Sequence, residues 1–240
     1  MEQENHLPQH IAVILDGNGR WAKAQGRPRS YGHLVGCENL ERICNLIGDM
    51  GIPYLTVYAF STENWKRSVD EVTFLMALFR KYLKRLYRSA HERNMRIRFL
   101  GDKAGMDPVM QKLMTDLEKA TKANDSMMFQ IALNYGGRDE IERAATRIAE
   151  DARKGILPEG RITEEIFASY LDTAGCPDPD LLIRTSGEQR LSNFLPWQLA
   201  YTEFYFTEVP WPAFDKNELM KAIEAYNRRD RKSTRLNSSH

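Results

Sequence analysis

Short runs of apolar residues alternate along this chain with longer stretches in which apolar residues recur every three or four positions. The runs have the length of buried β-strands, and the longer stretches have the period of amphipathic α-helices. The predicted strands are residues 10–15, 53–60, 95–100, 127–133, 180–184 and 203–207. The predicted helices are residues 34–50, 70–93, 106–123, 138–154, 163–171 and 215–229. Strands separated by helices of this length indicate right-handed crossovers, so we expect an α/β fold with a six-stranded, mostly parallel sheet flanked by helices.

A single domain is predicted over residues 9–231, because no internal repeat and no linker rich in Pro, Ser or Gly divides the chain. Residues 1–8 are polar and are expected to form an N-terminal extension rather than a signal peptide. Residues 232–240 follow a charged cluster and have no apolar period, which indicates a disordered tail or an artificial remnant outside the fold.

The predicted helix at residues 70–93 has the clearest amphipathic pattern. Its apolar face consists of Val72, Leu75, Met76, Phe79, Tyr82, Leu83, Leu86 and Ala90. Its basic face consists of Arg80, Lys81, Lys84, Arg85 and Arg88. The basic face is most simply a solvated surface, with contact to a membrane surface as the alternative. The apolar face suits either core packing or the wall of a ligand channel, and its length of about 36 Å exceeds what a small sheet needs.

The composition supports a well-packed core, since 42% of the residues are hydrophobic and 10% are aromatic. Lys and Arg number 34 and Asp and Glu number 33, and this net charge of +1 argues against a nucleic-acid-binding protein. The longest apolar run, residues 74–79, is too short to span a bilayer. Cys37, Cys44 and Cys176 have neither a Cys-x-x-Cys pair nor a histidine at metal spacing, which favours a reducing, cytoplasmic location.

The end of the first predicted strand carries an unusual group of residues, Asp16-Gly17-Asn18-Gly19-Arg20, followed by Arg29 and His33. The two glycines permit a tight turn that brings backbone N–H groups close to an anion, and the basic side chains would neutralise a phosphate group. The carboxylate of Asp16 would repel that phosphate unless a divalent cation lay between them. The alternative is an ordinary Gly/Asn turn whose charges face solvent.

Three further loops follow the carboxyl ends of predicted strands, where ligands bind in open parallel sheets. They are Ser61-Thr62-Glu63-Asn64-Trp65-Lys66-Arg67, residues 134–138 (NYGGR) and residues 184–193 (RTSGEQRLSN). Each alone is also typical of a turn or a helix cap. Together they place Arg20, Arg67, Arg184 and Arg190 near one edge of the sheet, beside Asp16 and with Glu203 as a further candidate there. They predict a site for a polyanion with two phosphate-bearing groups.

Two common phosphate-binding classes are disfavoured. The chain has no Gly-x-x-x-x-Gly-Lys-Ser/Thr loop, which argues against an ordinary NTPase, and residues 17–19 lack the third glycine of the dinucleotide-binding fingerprint.

Several segments resemble the cis-prenyltransferases, in order from about residue 9 to 230. They are HIAVILDGNGRWA, RSYGH, YAFSTENWKR, LNYGGR, IRTSGEQRLSNFLPWQ and AYTEFYF with WPAF. The resemblance implies an enzyme that elongates farnesyl diphosphate with isopentenyl diphosphate units in Z configuration, using Mg²⁺, to give a long polyprenyl diphosphate of undecaprenyl type. That product would serve as a lipid carrier in cell-wall synthesis. The resemblance also implies a hydrophobic product tunnel and a homodimer, and leaves open a peripheral membrane contact for product release.

The resemblance also implies roles for individual residues. Asp16 and Asn64 would be catalytic, with Asp16 engaging Mg²⁺ and Asn64 linked to proton removal, and Glu203 would be a second metal-holding carboxylate. The residues expected to bind the allylic diphosphate are Gly17, Asn18, Gly19, Arg20, Trp21, Arg29 and His33. The residues expected in the mobile loop at the reacting carbons are Ser61, Thr62, Glu63, Trp65 and Arg67. The residues expected to bind isopentenyl diphosphate are Arg184, Arg190 and Ser192. One departure is Gln189, where some relatives have a histidine near the metal.

Two other functions remain as alternatives. A non-catalytic partner subunit of a prenyltransferase complex would lack the catalytic aspartate and the basic residues of the first loop, whereas this chain keeps Asp16 and Arg20. A phosphate-ester hydrolase would use the same anion-binding groups without joining two substrates.

Overall fold

The computed structural model describes residues 6–157 and 160–237 of the chain, and its centre is a six-stranded sheet. The strands are β1 (His10–Ile14), β2 (Tyr54–Ser61), β3 (Met95–Leu100), β4 (Met127–Tyr135), β5 (Leu181–Arg184) and β6 (Glu203–Phe206). Their spatial order is β3-β4-β2-β1-β5-β6, and every neighbouring pair is parallel. All six predicted strands are therefore confirmed, and the sheet predicted to be mostly parallel is parallel throughout.

Seven helices flank or extend this sheet in the described part of the chain. They are α1 (Asn18–Ala24), α2 (Arg29–Asp49), α3 (Val69–Glu92), α4 (Pro108–Ala120), α5 (Gly137–Arg153), α6 (Glu164–Ala168) and α7 (Lys216–Asn237). Short 3₁₀ turns occupy Thr62–Lys66, Lys103–Gly105 and Trp211–Ala213. None of these helices combines the length and the apolar character needed to cross a membrane.

The three largest differences from the predicted helices concern α1, α2 and α7. Helix α1 was not predicted, because seven residues are too few to show a clear apolar period. Helix α2 begins at Arg29 rather than at residue 34, directly after Pro28. Helix α7 continues to Asn237, beyond the predicted end at residue 229. The predicted tail begins at residue 232, so its first six residues lie in this helix. Residues 1–5 and 238–240 lie outside the described part, and the predicted domain limits stay predictions.

Strand β1 lies at the centre of the core and is buried along its whole length, as predicted for a strand covered on both faces. Ile11 and Val13 pack into the larger hydrophobic cluster, with residues of α2, α3, α4 and α7. Ala12 and Ile14 point to the opposite face, where Phe194 belongs to a smaller cluster. Both sides of β1 are therefore fixed by packing. This packing also holds the carboxyl end of β1 in place, at the side of the sheet where the strands end.

Helices α1 and α2 approach each other more closely than side chains would allow. A Cβ atom added at Gly32 of α2 would lie 2.0 Å from the backbone oxygen of Asn18, and one added at Gly36 would lie 2.1 Å from Oδ1 of Asn18. Both distances are far below contact distance, so glycine at these positions lets the first loop rest directly on α2.

We expect Gly32→Ala to lower the free energy of unfolding by about 1–3 kcal/mol, because overpacking forces the backbone of Asn18 to move. Gly48→Ala on the same helix is the matched control. Its added Cβ would meet only Sδ of Met127 at an ordinary 3.7 Å, so its stability should be unchanged or raised by up to about 1 kcal/mol. Urea denaturation measures both variants, and equal effects would contradict the close-approach argument.

Candidate active site

The loops that follow β1, β2, β4 and β5 meet at one edge of the sheet, because the strands are all parallel. Side-chain contacts join these loops directly. The indole Nε1 of Trp65 donates to Oδ1 of Asn134 at 2.8 Å, and Nδ2 of Asn193 donates to Oε1 of Glu63 at 3.1 Å. The predicted convergence of the four loops is therefore what the structure shows.

The guanidinium group of Arg184 is buried at the centre of this edge, with the residue only 3% exposed. Its Nη2 donates to Oδ2 of Asp16 at 3.0 Å, and its Nη1 donates to Oγ of Ser192 at 2.8 Å and to the backbone oxygen of Arg190. Its Nε is buried without a hydrogen-bond partner among the described residues. Arg184 therefore joins the first loop to the fourth. Its remaining buried N–H group could donate a hydrogen bond to an anion.

Asp16 lies between two arginines at the end of β1. Besides Arg184, its Oδ1 atom lies 3.3 Å from Nη2 of Arg20. The backbone N–H of Gly17, which has φ 97°, donates to Asp16 Oδ1 at 2.7 Å. Because α1 begins at Asn18, the N–H groups of its first turn have no partner within the helix and can face an anion.

A second basic group surrounds Glu71, a residue of α3 that the sequence analysis did not single out. Its Oε1 accepts from Nη1 of Arg67 at 2.9 Å and lies 3.2 Å from Nε2 of His33, and its Oε2 lies 3.3 Å from Nε of Arg29. Three predicted anion-binding residues thus converge, as expected, but around a carboxylate of the chain itself. Glu71 stands in the first turn of a helix, where acidic residues are common, so its position in the sequence gave no signal of this role.

Burial and the neighbouring charges shift the pKa values of His33 and Glu71. Burial lowers the pKa of His33 and outweighs the opposing effect of the Glu71 carboxylate, and the nearby Arg67 and Arg29 lower it further. Burial alone would raise the pKa of Glu71, but Arg67, Arg29 and the hydrogen bond from His33 bring it below its ordinary value. At neutral pH the group therefore consists of a neutral imidazole, two guanidinium groups and an ionised carboxylate.

The loop after β2 is a 3₁₀ turn held by a reciprocal cap. The backbone N–H of Ser61 donates to Oδ1 of Asn64 at 3.1 Å, and the Ser61 side chain accepts from the Asn64 backbone. Thr62 lies against Gly136, where an added Cβ would be 2.7 Å from the threonine Oγ1. The cap fixes the Asn64 side chain at the edge of the sheet.

Arg190 and Glu188 form the outer part of the fourth loop. The guanidinium of Arg190 forms an ion pair with Glu188, which also lies 3.3 Å from Nη1 of Arg20. Arg190 and Ser192 are both exposed, but the hydroxyl of Ser192 accepts a hydrogen bond from the buried Arg184. Glu188 is therefore a second carboxylate, not predicted, that bridges arginines of the two expected phosphate sites.

Backbone strain is concentrated at this edge. Among the described non-glycine residues, those with positive φ are Asn94, Asn134, Ser186, Ser192, Asn193 and Leu195. Asn134 is the second-last residue of β4, and Ser186, Ser192, Asn193 and Leu195 belong to the loop after β5. A buried leucine at φ 47° is costly, and such conformations persist where the surrounding structure imposes them, often at functional sites.

Glu203 does not lie beside Asp16 in the single chain, so its predicted place at this edge is wrong, whereas its predicted metal-holding role stays a prediction. Glu203 begins β6 and is level with Leu181 of β5, which is level with Ile11 of β1. Ile14 is already about 10 Å further along β1, and Asp16 follows it. The physical reason is direction: Glu203 stands at the amino end of its strand, whereas the other site residues follow carboxyl ends.

Two cavities open at the site. The smaller one, here the edge cavity, has a volume of about 100 Å³. It is lined by Leu15, Asp16, Gly17, Asn18, Gly19, Arg20, Arg29, His33 and Arg67. The larger one, here the long cavity, has a volume of about 290 Å³ and extends between α2, α3 and the sheet. Of the predicted residues, it is lined by Asp16, Asn18, His33, Ser61, Asn64, Arg67, Arg184 and Ser192.

The remaining predicted residues line neither cavity. They are Trp21, Thr62, Glu63, Trp65, Arg190 and Glu203. Trp21 stacks on Tyr31, with ring centroids 6.0 Å apart. The long cavity also contains Tyr58, which sequence reasoning missed because an aromatic residue in a strand is usually core. Its hydroxyl lies 3.2 Å from the backbone oxygens of Tyr135 and Ser192.

The wall of the long cavity is mainly apolar away from the sheet edge. Leu75, Phe79 and Leu83 of α3 contribute to it, so the apolar face of the predicted helix forms part of the core and part of the cavity wall. Cys37 and Cys44 of α2 also line it, and burial raises the pKa of both thiols to about 12. The thiols therefore stay protonated and act as small apolar groups.

Comparison with known proteins gives a consistent result. The family model described as "Putative undecaprenyl diphosphate synthase" matches residues 14–234 of the chain. An isoprenyl transferase of Agrobacterium fabrum is 48% identical over 226 residues, which are 94% of this chain and 92% of that protein. A Legionella pneumophila (strain Paris) protein named ditrans,polycis-undecaprenyl-diphosphate synthase, specific for (2E,6E)-farnesyl diphosphate, is 44% identical over 236 residues, which are 98% of this chain and 99% of that protein.

Two solved structures are similar over 92% of this chain and 95% of their own length. Lavandulyl diphosphate synthase from Lavandula x intermedia, in complex with dimethylallyl diphosphate, has a TM-score of 0.88 and 38% identity. A "probable undecaprenyl diphosphate synthase" from Campylobacter jejuni has a TM-score of 0.75 and 32% identity.

We expect Glu71→Gln to bind inorganic pyrophosphate several-fold more tightly than the wild type. The carboxylate competes with an incoming anion for the guanidinium groups of Arg29 and Arg67, and its removal also removes a repulsive charge. Isothermal titration calorimetry measures the affinity. Asp116→Asn makes the same change of charge at an exposed ion pair on α4 and should leave the affinity unchanged. Weaker binding by Glu71→Gln would mean that Glu71 holds the basic groups in place rather than competing for them.

Proposed function

We propose, from the premise that the chain belongs to the undecaprenyl diphosphate synthase family of prenyltransferases, that it elongates farnesyl diphosphate by successive Z-selective condensations with isopentenyl diphosphate. One observation carries the proposal: a cluster of arginines at the sheet edge opens directly into a long apolar cavity. A prenyl diphosphate has the same division, with a charged head and an apolar tail.

The two diphosphates occupy adjoining parts of the edge. The allylic diphosphate binds in the edge cavity, at residues 17–20 with Arg29 and His33, and displaces the Glu71 carboxylate from its arginines. Isopentenyl diphosphate binds at Arg184, Arg190 and Ser192. Since both cavities include Asp16 and Arg67, the two reacting ends come together at their boundary, which lowers the entropic cost of the encounter.

Breaking the allylic carbon–oxygen bond leaves a carbocation and a diphosphate leaving group. Guanidinium groups and backbone N–H groups already aimed at the leaving oxygens stabilise the developing negative charge. The double bond of isopentenyl diphosphate then attacks the cation, and a proton is lost from carbon 2 of that substrate. Asn64, whose side chain is fixed by the Ser61 cap, takes part in orienting this proton removal.

A magnesium site shared between protein and substrate suits the residues present. The described residues contain no group of three His, Cys, Asp or Glu side chains that could hold a metal. Mg²⁺ commonly binds through one or two carboxylates together with substrate phosphates, and Asp16 is a partly exposed carboxylate at the wall of both cavities. Bound there, Mg²⁺ would supply further neutralisation of the leaving group.

A short-chain condensing enzyme is the second candidate, favoured by the close structural similarity to lavandulyl diphosphate synthase. The depth of the long cavity favours elongation instead. It continues along α2 to Asn45 and along α3 to Ser89, far beyond what a short product would occupy. Products formed from labelled isopentenyl diphosphate and farnesyl diphosphate, separated by chromatography, distinguish the two, and a non-catalytic subunit or a hydrolase would yield no condensed product.

Homodimer formation and a contact with a membrane surface during product release remain part of the proposal. The aromatic segment from Trp197 to Trp211 supports an interface, because Phe204 and Phe206 of the edge strand β6 are only half-buried in the single chain. The basic residues of α3, among them Lys81, Lys84 and Arg88, are exposed and suit an anionic surface.

We expect Asp16→Asn to lower kcat by about a thousandfold or more, because it removes the carboxylate proposed to hold the metal while keeping the shape that Arg184 contacts. Asp102→Asn is the control, since Asp102 follows β3 at the same edge but lines neither cavity. Radiolabel incorporation at saturating Mg²⁺ measures turnover, and circular dichroism checks the fold. Turnover near the wild-type level would refute the role of Asp16.

We expect Arg190→Ala to raise the Kd for isopentenyl diphosphate by roughly 10–100-fold, as a lost charged hydrogen bond of about 1.5–3 kcal/mol implies, with little change for farnesyl diphosphate. Arg138→Ala removes another exposed arginine near the same edge, outside both cavities, and should change neither affinity. Direct binding measurements with each substrate test this. Equal weakening of both substrates would show that the division into two sites is wrong.

A further inference from the structure

The long cavity changes character partway along the two helices that enclose it. Behind the polar residues of the sheet edge its wall is mainly apolar, with Leu40 of α2 and Phe79 of α3. Further along, an ion pair crosses between the helices, with Nη2 of Arg85 on α3 lying 3.0 Å from Oε2 of Glu41 on α2. Both residues line the cavity. Glu41 follows His33 by eight residues on α2, about 12 Å of helix from the anion-binding edge.

This pair is one of two described ion pairs whose members both line the long cavity. The other is Asp16–Arg184, which lies where the chemistry is proposed. No described hydrogen bond or ion pair joins Glu41 or Arg85 to a residue proposed to bind a diphosphate. Its side chains are 30% and 61% exposed, so its charges remain partly hydrated. This partly hydrated ion pair joins the two helices and adds charge to a wall that is mainly apolar behind the sheet edge.

We infer that the Glu41–Arg85 pair limits how far a prenyl tail extends along the long cavity, and so helps to set product length. The inference rests on the proposed function. An apolar tail that reaches the pair must either separate the two charges or strip their water, and both are unfavourable. Elongation therefore slows once the tail arrives there, while shorter intermediates never contact the pair.

A second ion pair joins the last residue of α2 to the residue directly after α3 and provides a matched control. Nη1 of Arg93 lies 2.9 Å from Oδ1 of Asp49, and each residue stands eight positions after its counterpart in the Glu41–Arg85 pair. Neither Asp49 nor Arg93 lines the long cavity. If the pairs act only by linking α2 to the end of α3, removing either pair should change the product length. If the Glu41–Arg85 pair acts on the prenyl tail, only its removal should do so.

The decisive variant is the double substitution Glu41→Gln with Arg85→Met, which removes both charges and keeps side chains of similar length. With farnesyl and isopentenyl diphosphates, we expect its main product to be longer than that of the wild type by one or more isoprene units. Asp49→Asn with Arg93→Met should leave the product length unchanged. The reversed pair, Glu41→Arg with Arg85→Glu, keeps both charges and should give the same product length as the wild type.

A measurement that needs no turnover separates this inference from the proposed function. The affinity of n-alkyl phosphates should rise with chain length in the wild type and level off, and the chain length of that plateau should increase in the uncharged double variant. Absence of any condensed product from the wild type would refute the proposed function. An unchanged product length and plateau in the uncharged variant, or an equal lengthening in the Asp49–Arg93 control, would overturn the inference.

Discussion

The buried guanidinium of Arg184 is the interaction on which the arrangement of the site depends. A buried charge is tolerated only when it is paired and hydrogen-bonded, and the partners of Arg184 come from different parts of the chain. Asp16 follows β1, whereas Ser192 belongs to the loop after β5. Satisfying this one side chain therefore fixes two loops against each other, and it does so at the carboxyl edge of neighbouring parallel strands.

Helices α2 and α3 each serve both halves of the site. Their first turns carry Arg29, His33 and Glu71, which form the charged group at the sheet edge. Their later turns form the apolar wall of the long cavity. Both helices run from the carboxyl edge of the sheet back toward its amino edge. The direction of the βα units alone therefore places the charged residues at the mouth of the long cavity and the apolar residues behind them. This explains why α3 is longer than the sheet requires.

Features that depend on the local pattern of apolar residues and on the direction of the chain can be predicted from the sequence. All six strands and the convergence of four loops follow from apolar runs and parallel connections. Two features depend on tertiary geometry and were missed or wrong. Glu71 meets Arg29 across forty-two positions of sequence, and no local spacing signals such a contact. Glu203 was predicted to lie near Asp16 with the residues at the strand ends, but its register places it at the start of its strand.

The charge balance of the site bears on the proposed metal requirement. The described ion pairs at the edge involve the guanidinium groups of Arg20, Arg29, Arg67, Arg184 and Arg190 and the carboxylates of Asp16, Glu71 and Glu188. Five positive groups against three negative ones leave a surplus of two charges, which keeps the arginines ordered without a large local repulsion. Two diphosphates together bring more negative charge than this surplus can neutralise. If Glu71 is displaced, the positive charge of its arginines becomes available to the diphosphates. A divalent cation at Asp16 would supply the remaining positive charge.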